Sequence, residues 1–379
     1  MEHTFWIWYP GDFELYHAMK QNFSRVERGF GWPAFWKSEG FRNRVAFRRT
    51  YELKQETSFT VFSNAIGHVL VTWENGEKKY PFGKKITVGP GKVKVSIHAG
   101  CVEAFPCAYV QGEVIHSDKT WMAEDYSQPL VPVGVCKYFT KPEQKPTVWE
   151  YTEKECKPVK ISEINGGVLA EFETELTAAV YVKDKRKAAL EKEKQKVVKN
   201  IENCYEGNAE EISDAGKCRR ESGSGDNCDV LEVFCGESED EALDLEHCYY
   251  SWQPDPVTNR CPCCAVRFAF IPNCKAEDVE ITAFYQYVDF PKRASFKCSD
   301  KKLNKIWEVA EHTFRLCSGI FFLDGVKRDK WIWSGDAYQS FFVNQYLLAD
   351  PDIDQRTLLA LRGNDPMTRH INTIMDYSL

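Results

Sequence analysis

The 379-residue chain contains no run of eighteen apolar residues, so the sequence predicts no membrane-spanning helix and no membrane partner. It also lacks an excess of basic charge. There are 49 Lys and Arg against 56 Asp and Glu, a net charge of −7, with an isoelectric point near 5.8. A nucleic-acid-binding domain ordinarily carries a basic face and an isoelectric point above about 9, so nucleic acid is not an expected partner. The N-terminus has no basic segment, no long apolar stretch and no small-residue cleavage site. No secretory signal is read there, and the expected location is the cytoplasm, with a periplasmic or secreted protein as the alternative. Three catalytic signatures are missing as well: the Gly-x-Ser-x-Gly elbow of a serine hydrolase, the phosphate-cradling P-loop and the dinucleotide-binding glycine pattern. No internal repeat is present.

Cysteine, by contrast, is abundant. Fifteen are present, an odd number, so at least one thiol stays unpaired in a monomer. Without a signal, reduced thiols are the default. Cys261-Pro-Cys263-Cys264, with Cys274 and with His247-Cys248 upstream, has the soft atoms a zinc ion prefers. Separated Cys-x2-Cys knuckles are missing, however. The expectation is free thiols in β-structure, with no metal and no cofactor.

Aromatic residues make up 14% of the chain, with eleven Trp. Such a content suits either sugar handling or a well-packed sandwich core, and composition does not choose between them. Residues 1 to about 40 are aromatic, punctuated by Gly and Pro, and read as irregular. From 43 onward the period becomes two. Val45, Phe47, Arg49, Tyr51 and Leu53 share one face. Ile86 and Val88, then Gly89-Pro90-Gly91, then Val93, Val95 and Ile97 read as two strands about a turn. Further strands are expected at 57–63, 69–74, 107–116 and 164–172, and again around Val279–Tyr287. Short strands with frequent turns predict antiparallel sandwiches.

Near 183 the composition shifts to an almost wholly charged run, then to a polar Gly/Ser-rich stretch over 206–228 that reads as a long loop. After Pro291 the period becomes helical. Leu303, Ile306, Trp307, Ala310, Phe314 and Cys317 form one stripe, with Ser299 as the expected N-cap. A second helix is expected from about Gly335-Asp336 to Ala349, and a third, after Asp350-Pro351, over Leu358, Leu359 and Leu361.

The densest chemistry lies between the first two of these helices. Asp324-Gly-Val-Lys-Arg328-Asp329-Lys-Trp331-Ile-Trp333-Ser-Gly335-Asp336 holds three carboxylates, one guanidinium and two indoles in thirteen residues. Glycoside hydrolysis needs carboxylates flanking a sugar ring and favours aromatic platforms for its apolar face. A bare acidic helix start with Asp336 as cap needs neither the Arg nor the two Trp. The stretch resembles the α-L-rhamnosidase motif of glycoside hydrolase family 78, in which Asp-Cys-Pro-x-Arg-(Asp)-Glu precedes a Trp and then Gly-Asp. Ser117-Asp-Lys-Thr-Trp121 and Gly166-Gly-Val-Leu-Ala-Glu-Phe resemble that family's accessory β-domains. The residues from Gly335, and from Leu361 through Asp376-Tyr, resemble the helices after the motif.

The resemblance implies specific roles. Asp329 falls at the general-acid position, where the family usually has Glu. One methylene less leaves its proton about 1.5 Å short. Asp324, Arg328, Trp333 and Asp336 fall at positions that hold the sugar. Gly325-Val326 replaces Cys-Pro. The implied fold is a multidomain β + α protein: antiparallel β-sandwich domains followed by the first helices of an (α/α)6 barrel. A complete barrel of twelve helices needs roughly 200 residues or more, and about 90 follow Pro291. The family's general base is a downstream Glu, and no Glu occurs after Glu311. The expected domains are a β-sandwich region at 1–180, an insertion at 181–230, a β-rich remainder at 231–290 and the start of the helical domain at 291–379. The expected function is inverting hydrolysis of terminal α-L-rhamnosyl linkages in a glycoside or oligosaccharide, with this chain an incomplete and inactive portion. The alternatives are a non-catalytic carbohydrate-binding β-sandwich protein and, third, an interaction module with a metal at the cysteines.

Overall fold

The computed structural model describes residues 4–23, 41–126, 129–186, 231–327 and 330–362. They form two compact units: Met1–Glu150 with Val288–Leu379, and Tyr151–Tyr287.

In the first unit, strand β1 (Ile7–Trp8) leads through Gly11, at φ 92°, into helix α1 (Asp12–Phe23). The region read as irregular thus contains a twelve-residue helix. Its sequence has no amphipathic stripe because Asp12, Phe13, Glu14, Leu15, His17 and Ala18 are all buried. Strands β2 (Arg44–Leu53), β3 (Thr57–Ser63), β4 (Ile66–Trp73), β5 (Gly76–Tyr80), β6 (Lys85–Val88), β7 (Gly91–Gly100), β8 (Cys107–Gly112), β9 (Met122–Glu124) and β10 (Val131–Pro132) follow. They pair antiparallel into two sheets, β1-β8-β3-β6 and β10-β9-β2-β7-β4-β5.

Alternation explains the core between these sheets. Val45, Phe47, Val61, Val69, Val71, Ile86, Val95, Ile97 and Val110 all bury side chains in one cluster with Trp121, as period-two strands with one covered face require. Arg49 falls on the same face of β2, but its Nη1 donates to Asp118 at 2.6 Å and its guanidinium lies over the Tyr51 ring. The turn at Gly89-Pro90-Gly91 is there, but β6 and β7 belong to different sheets. The turn therefore carries the chain across the sandwich instead of closing a hairpin. Trp6, Trp8, Trp121 and Trp331 are buried. For these four, the high Trp content is core packing.

The second unit holds β11 (Thr152–Cys156), β12 (Lys160–Ile164), β13 (Gly167–Asp184), β14 (Val233–Gly236), helix α2 (Glu239–Leu243), β15 (Tyr250–Trp252), β16 (Cys264–Pro272) and β17 (Val279–Tyr287). All the strands join one antiparallel sheet ordered β11-β17-β13-β16-β14-β15, with β12 also on β13. Asn165 and Gly166, at φ 49° and 73°, close the β12–β13 hairpin. Two positive-φ residues match the twist of the strands, and Asn-Gly is the dipeptide that adopts them most easily. Strand β13 runs through residue 180, where the sequence suggested a boundary. The charged run from 187 and the Gly/Ser stretch to 230 lie outside the described residues. No disulfide joins any two of the twelve described cysteines. Burial pushes the Cys261 thiol up to about 12. Among the described residues, no group of three or more His, Cys, Asp or Glu is placed to hold a metal.

The chain returns to the first unit with three helices, α3 (Lys301–Leu316), α4 (Ser334–Leu347) and α5 (Pro351–Arg362). The N-cap of α3 is Asp300, not Ser299. The Asp300 carboxylate accepts from the Lys302 and Leu303 amides at 2.8 and 3.3 Å, and its charge also complements the helix dipole. Asp300→Ala is expected to lower stability by about 1 kcal/mol in urea unfolding, whereas Ser299→Ala changes little. No described helix is long and apolar enough to cross a membrane. Mostly antiparallel β-structure followed by a few helices is the architecture of the described chain.

Candidate functional site

The 324–336 stretch is fixed from both ends. After α3, the Ser318 amide donates to the Arg315 carbonyl and the Leu323 amide to the Cys317 carbonyl. The Phe322 amide donates to Thr357 Oγ1 of α5 at 3.1 Å. Phe321 and Ile332 pack with Ala18 of α1, Ala337 of α4 and Ala360 of α5. Gln21 of α1 donates from Nε2 to the Lys330 carbonyl at 3.2 Å. The loop is therefore clamped by three helices, the kind of rigid support on which sites are built.

Asp324 closes the loop on itself. Its amide donates to the Trp331 carbonyl at 3.0 Å, and its Oδ1 accepts from the Trp331 and Gly325 amides at 2.9 and 2.8 Å. Loop closure brings Asp324 beside Trp331, seven positions later. Trp331 is buried, and Lys330, at φ 44°, makes the turn before it. Trp333 is the N-cap residue of α4 and is half-buried, its side chain making no capping bond. Asp336 lies in the first turn of α4, exposed, where its negative charge favours the helix start. Arg328 and Asp329 lie outside the described residues.

A second set of chemical groups carried no sequence signal. Helix α1 buries Glu14 and His17, and α5 buries Arg356. Burial raises the Glu14 carboxyl from 4.5 to about 7, against backbone amides and the Arg356 charge that pull it down. Burial lowers His17 from 6.5 to about 4, and its Nε2 lies 2.7 Å from the Pro146 carbonyl. A neutral ring with Nε2–H donating fits both facts. Arg356 donates from Nε to the Ile320 carbonyl at 2.8 Å and from Nη1 to Cys136 Sγ at 3.7 Å. A cavity of about 450 Å3 between α1, the 132–137 segment and α5 is lined by Glu14 and Arg356, and not by Asp324, Trp333 or Asp336. An isolated Glu or Arg in a sequence gives no hint of burial. Only the packing of α1 on α5 reveals these.

No family model matches the chain, and no curated protein matches it. Among solved structures, it is similar to the α-L-rhamnosidase of Dictyoglumus thermophilum, at 14% identity and a TM-score of 0.35, over 84% of this chain and 41% of that one. It is also similar to the Streptomyces avermitilis α-L-rhamnosidase complexed with L-rhamnose, at 10% identity and a TM-score of 0.36, over 85% of this chain and 36% of that one. A third is a rhamnosidase from Klebsiella oxytoca with rhamnose bound, at 14% identity and a TM-score of 0.36, over 56% and 44%. The chain spans less than half the length of each of these proteins. Identities and TM-scores this low assign no activity.

Proposed function

We propose that this chain is the N-terminal portion of an inverting α-L-rhamnosidase-like glycoside hydrolase of family 78, acting on a rhamnose-containing glycoside or oligosaccharide. The observation that carries the reading is the thirteen-residue run from Asp324 to Asp336, held on a helix-clamped loop at the start of α4. In this reading Asp329 protonates the leaving oxygen. Asp324, Arg328 and Asp336 hold sugar hydroxyls, and Trp333 packs on the ring. The general base comes from a downstream Glu on the far side of the sugar, about 6.5–9.5 Å from the acid.

A second observation supports an incomplete helical domain. Leu303, Ile306 and Val309 on α3 and Tyr338, Phe342, Val343 and Tyr346 on α4 are exposed. Apolar faces of this extent are ordinarily covered, and the further helices of an (α/α)6 barrel would cover them. In this arrangement the β-domains are accessory and the sugar binds at the helical end.

Titration of the chain with L-rhamnose, followed by Trp fluorescence or by NMR, tests the sugar site. Weak saturable binding is expected, weakened about tenfold by Asp336→Asn through loss of a charged hydrogen bond. Equal affinity in the Asp336→Asn and Trp333→Ala variants would remove these residues from the site.

A further inference from the structure

The cavity between α1 and α5 contains two buried polar groups that the glycosidase reading does not use. Glu14 and Arg356 are 5% and 3% exposed, and both line the cavity. Among the described residues, Glu14 Oε2 and Arg356 Nη2 have no hydrogen-bond partner. Arg356 also makes no ion pair with a described carboxylate. Its other neighbours are the Tyr138 and Trp149 rings, the Ile320 carbonyl and the Cys136 thiol. Nearby, Lys137 is taken up by Asp350 and Asp352, so it does not compensate Glu14.

Arg356 acts on Glu14 through its charge, but neither Glu14 Oε2 nor Arg356 Nη2 has a hydrogen-bond partner among the described residues, and a buried donor or acceptor left unpaired is unfavourable by about 1–3 kcal/mol. A ligand that supplies both missing partners would relieve both. We propose that this cavity binds a small hydroxy-carboxylate, its carboxylate accepting from Arg356 Nη2 and a hydroxyl donating to Glu14 Oε2. The charge balance agrees. With Lys137 and Asp352 paired to each other, the remaining cationic groups lining the cavity are Lys119 and Arg356, against the single carboxyl of Glu14. Burial holds Glu14 near neutral pH, so it is in part uncharged there and the cavity favours an anion. Val133 and Leu359 supply apolar wall for a carbon skeleton. The volume of about 450 Å3 lies within the roughly 300–1,000 Å3 of small-molecule sites and accommodates a six-carbon acid. A phosphate dianion fits less well, because a single free guanidinium nitrogen faces its three oxygens.

The test is calorimetric titration of the full chain near neutral pH with three probes. Gluconate has the carboxylate and the hydroxyls, glucose has the hydroxyls alone, and acetate has the carboxylate alone. Gluconate is expected to bind at least about tenfold more tightly than either, since one charge-assisted hydrogen bond is worth that much or more. Arg356→Lys should weaken gluconate binding by at least about tenfold, through loss of the planar fork. Gln355→Trp provides a second variant that leaves the core untouched. Gln355 is exposed and lines the cavity, so a large ring there should close the cavity to gluconate while the circular-dichroism melt is unchanged. Gluconate binding no tighter than that of glucose or acetate at about 10 mM would overturn the proposal. So would gluconate binding that survives Gln355→Trp.

Discussion

Glu14→Gln is expected to stabilise the protein by roughly 3 kcal/mol above pH 7 and to leave it unchanged below about pH 4.5. The buried carboxyl titrates near 7 in the folded chain and at its ordinary 4.5 when unfolded. Below 4.5 both states hold the proton, and no penalty exists. Between 4.5 and about 7 the unfolded chain ionises first, so folding loses stability as pH rises, and above 7 the full penalty persists. Gln keeps the shape and removes the charge.

His17 has the opposite sign. It is neutral when folded down to about pH 4 and ordinarily protonates at 6.5. Its penalty is absent above 6.5 and grows as pH falls to about 4. In the native protein the two slopes oppose each other between 4.5 and 6.5, so these residues together make stability nearly independent of pH there. In Glu14→Gln only His17 remains, and stability should rise by roughly 3 kcal/mol from pH 4 to 6.5. Urea unfolding across pH reads both effects. An equal stability difference between variant and native protein at pH 4 and pH 8 would refute the assignment.

On aryl α-L-rhamnosides, residues 1–379 alone are expected to show no appreciable turnover. Inverting hydrolysis needs a second carboxylate to deprotonate water, and loss of that assistance is worth about 10²–10⁴-fold. In the proposed reading, further helices would also supply positioning and water exclusion. A longer reading frame that carries the further helices and a downstream Glu is expected to hydrolyse these substrates. Asp329→Asn in that longer protein should lower kcat by about 10²–10⁴-fold. Robust turnover by residues 1–379 would mean that the base, or the reaction itself, is misassigned. Full activity of the long Asp329→Asn variant would move the acid to Asp324 or Asp336.

How much was readable differs sharply between elements. Strands β2, β3, β7 and β17 appear in the sequence as alternating apolar residues, because each has one face on a core. Helix α3 was readable from its apolar period, and α4 from a start near Gly335-Asp336, one residue from its first helical residue Ser334. The 324–336 cluster was readable because its residues are neighbours in the chain. That Asp324 Oδ1 is spent on the Trp331 and Gly325 amides was not. A carboxylate that closes its own loop and one that grips a sugar look the same in sequence.

What the sequence determined by itself is the local part: period, turn chemistry, and the lack of any run of eighteen apolar residues. These depend on contacts between residues a few positions apart, or on composition alone. Tertiary structure decided the rest. Helix α1 could not be read because it is enclosed on nearly every side, which removes the polar stripe that marks a surface helix. Residues Val288–Leu379 join the unit of Met1–Glu150 although 137 residues of sequence, Tyr151–Tyr287, separate them, a pairing of distant segments that no local pattern encodes. The same packing put Glu14 opposite Arg356, 342 positions away. Burial, which turns ordinary ionisable residues into unusual ones, is a property of the assembled fold.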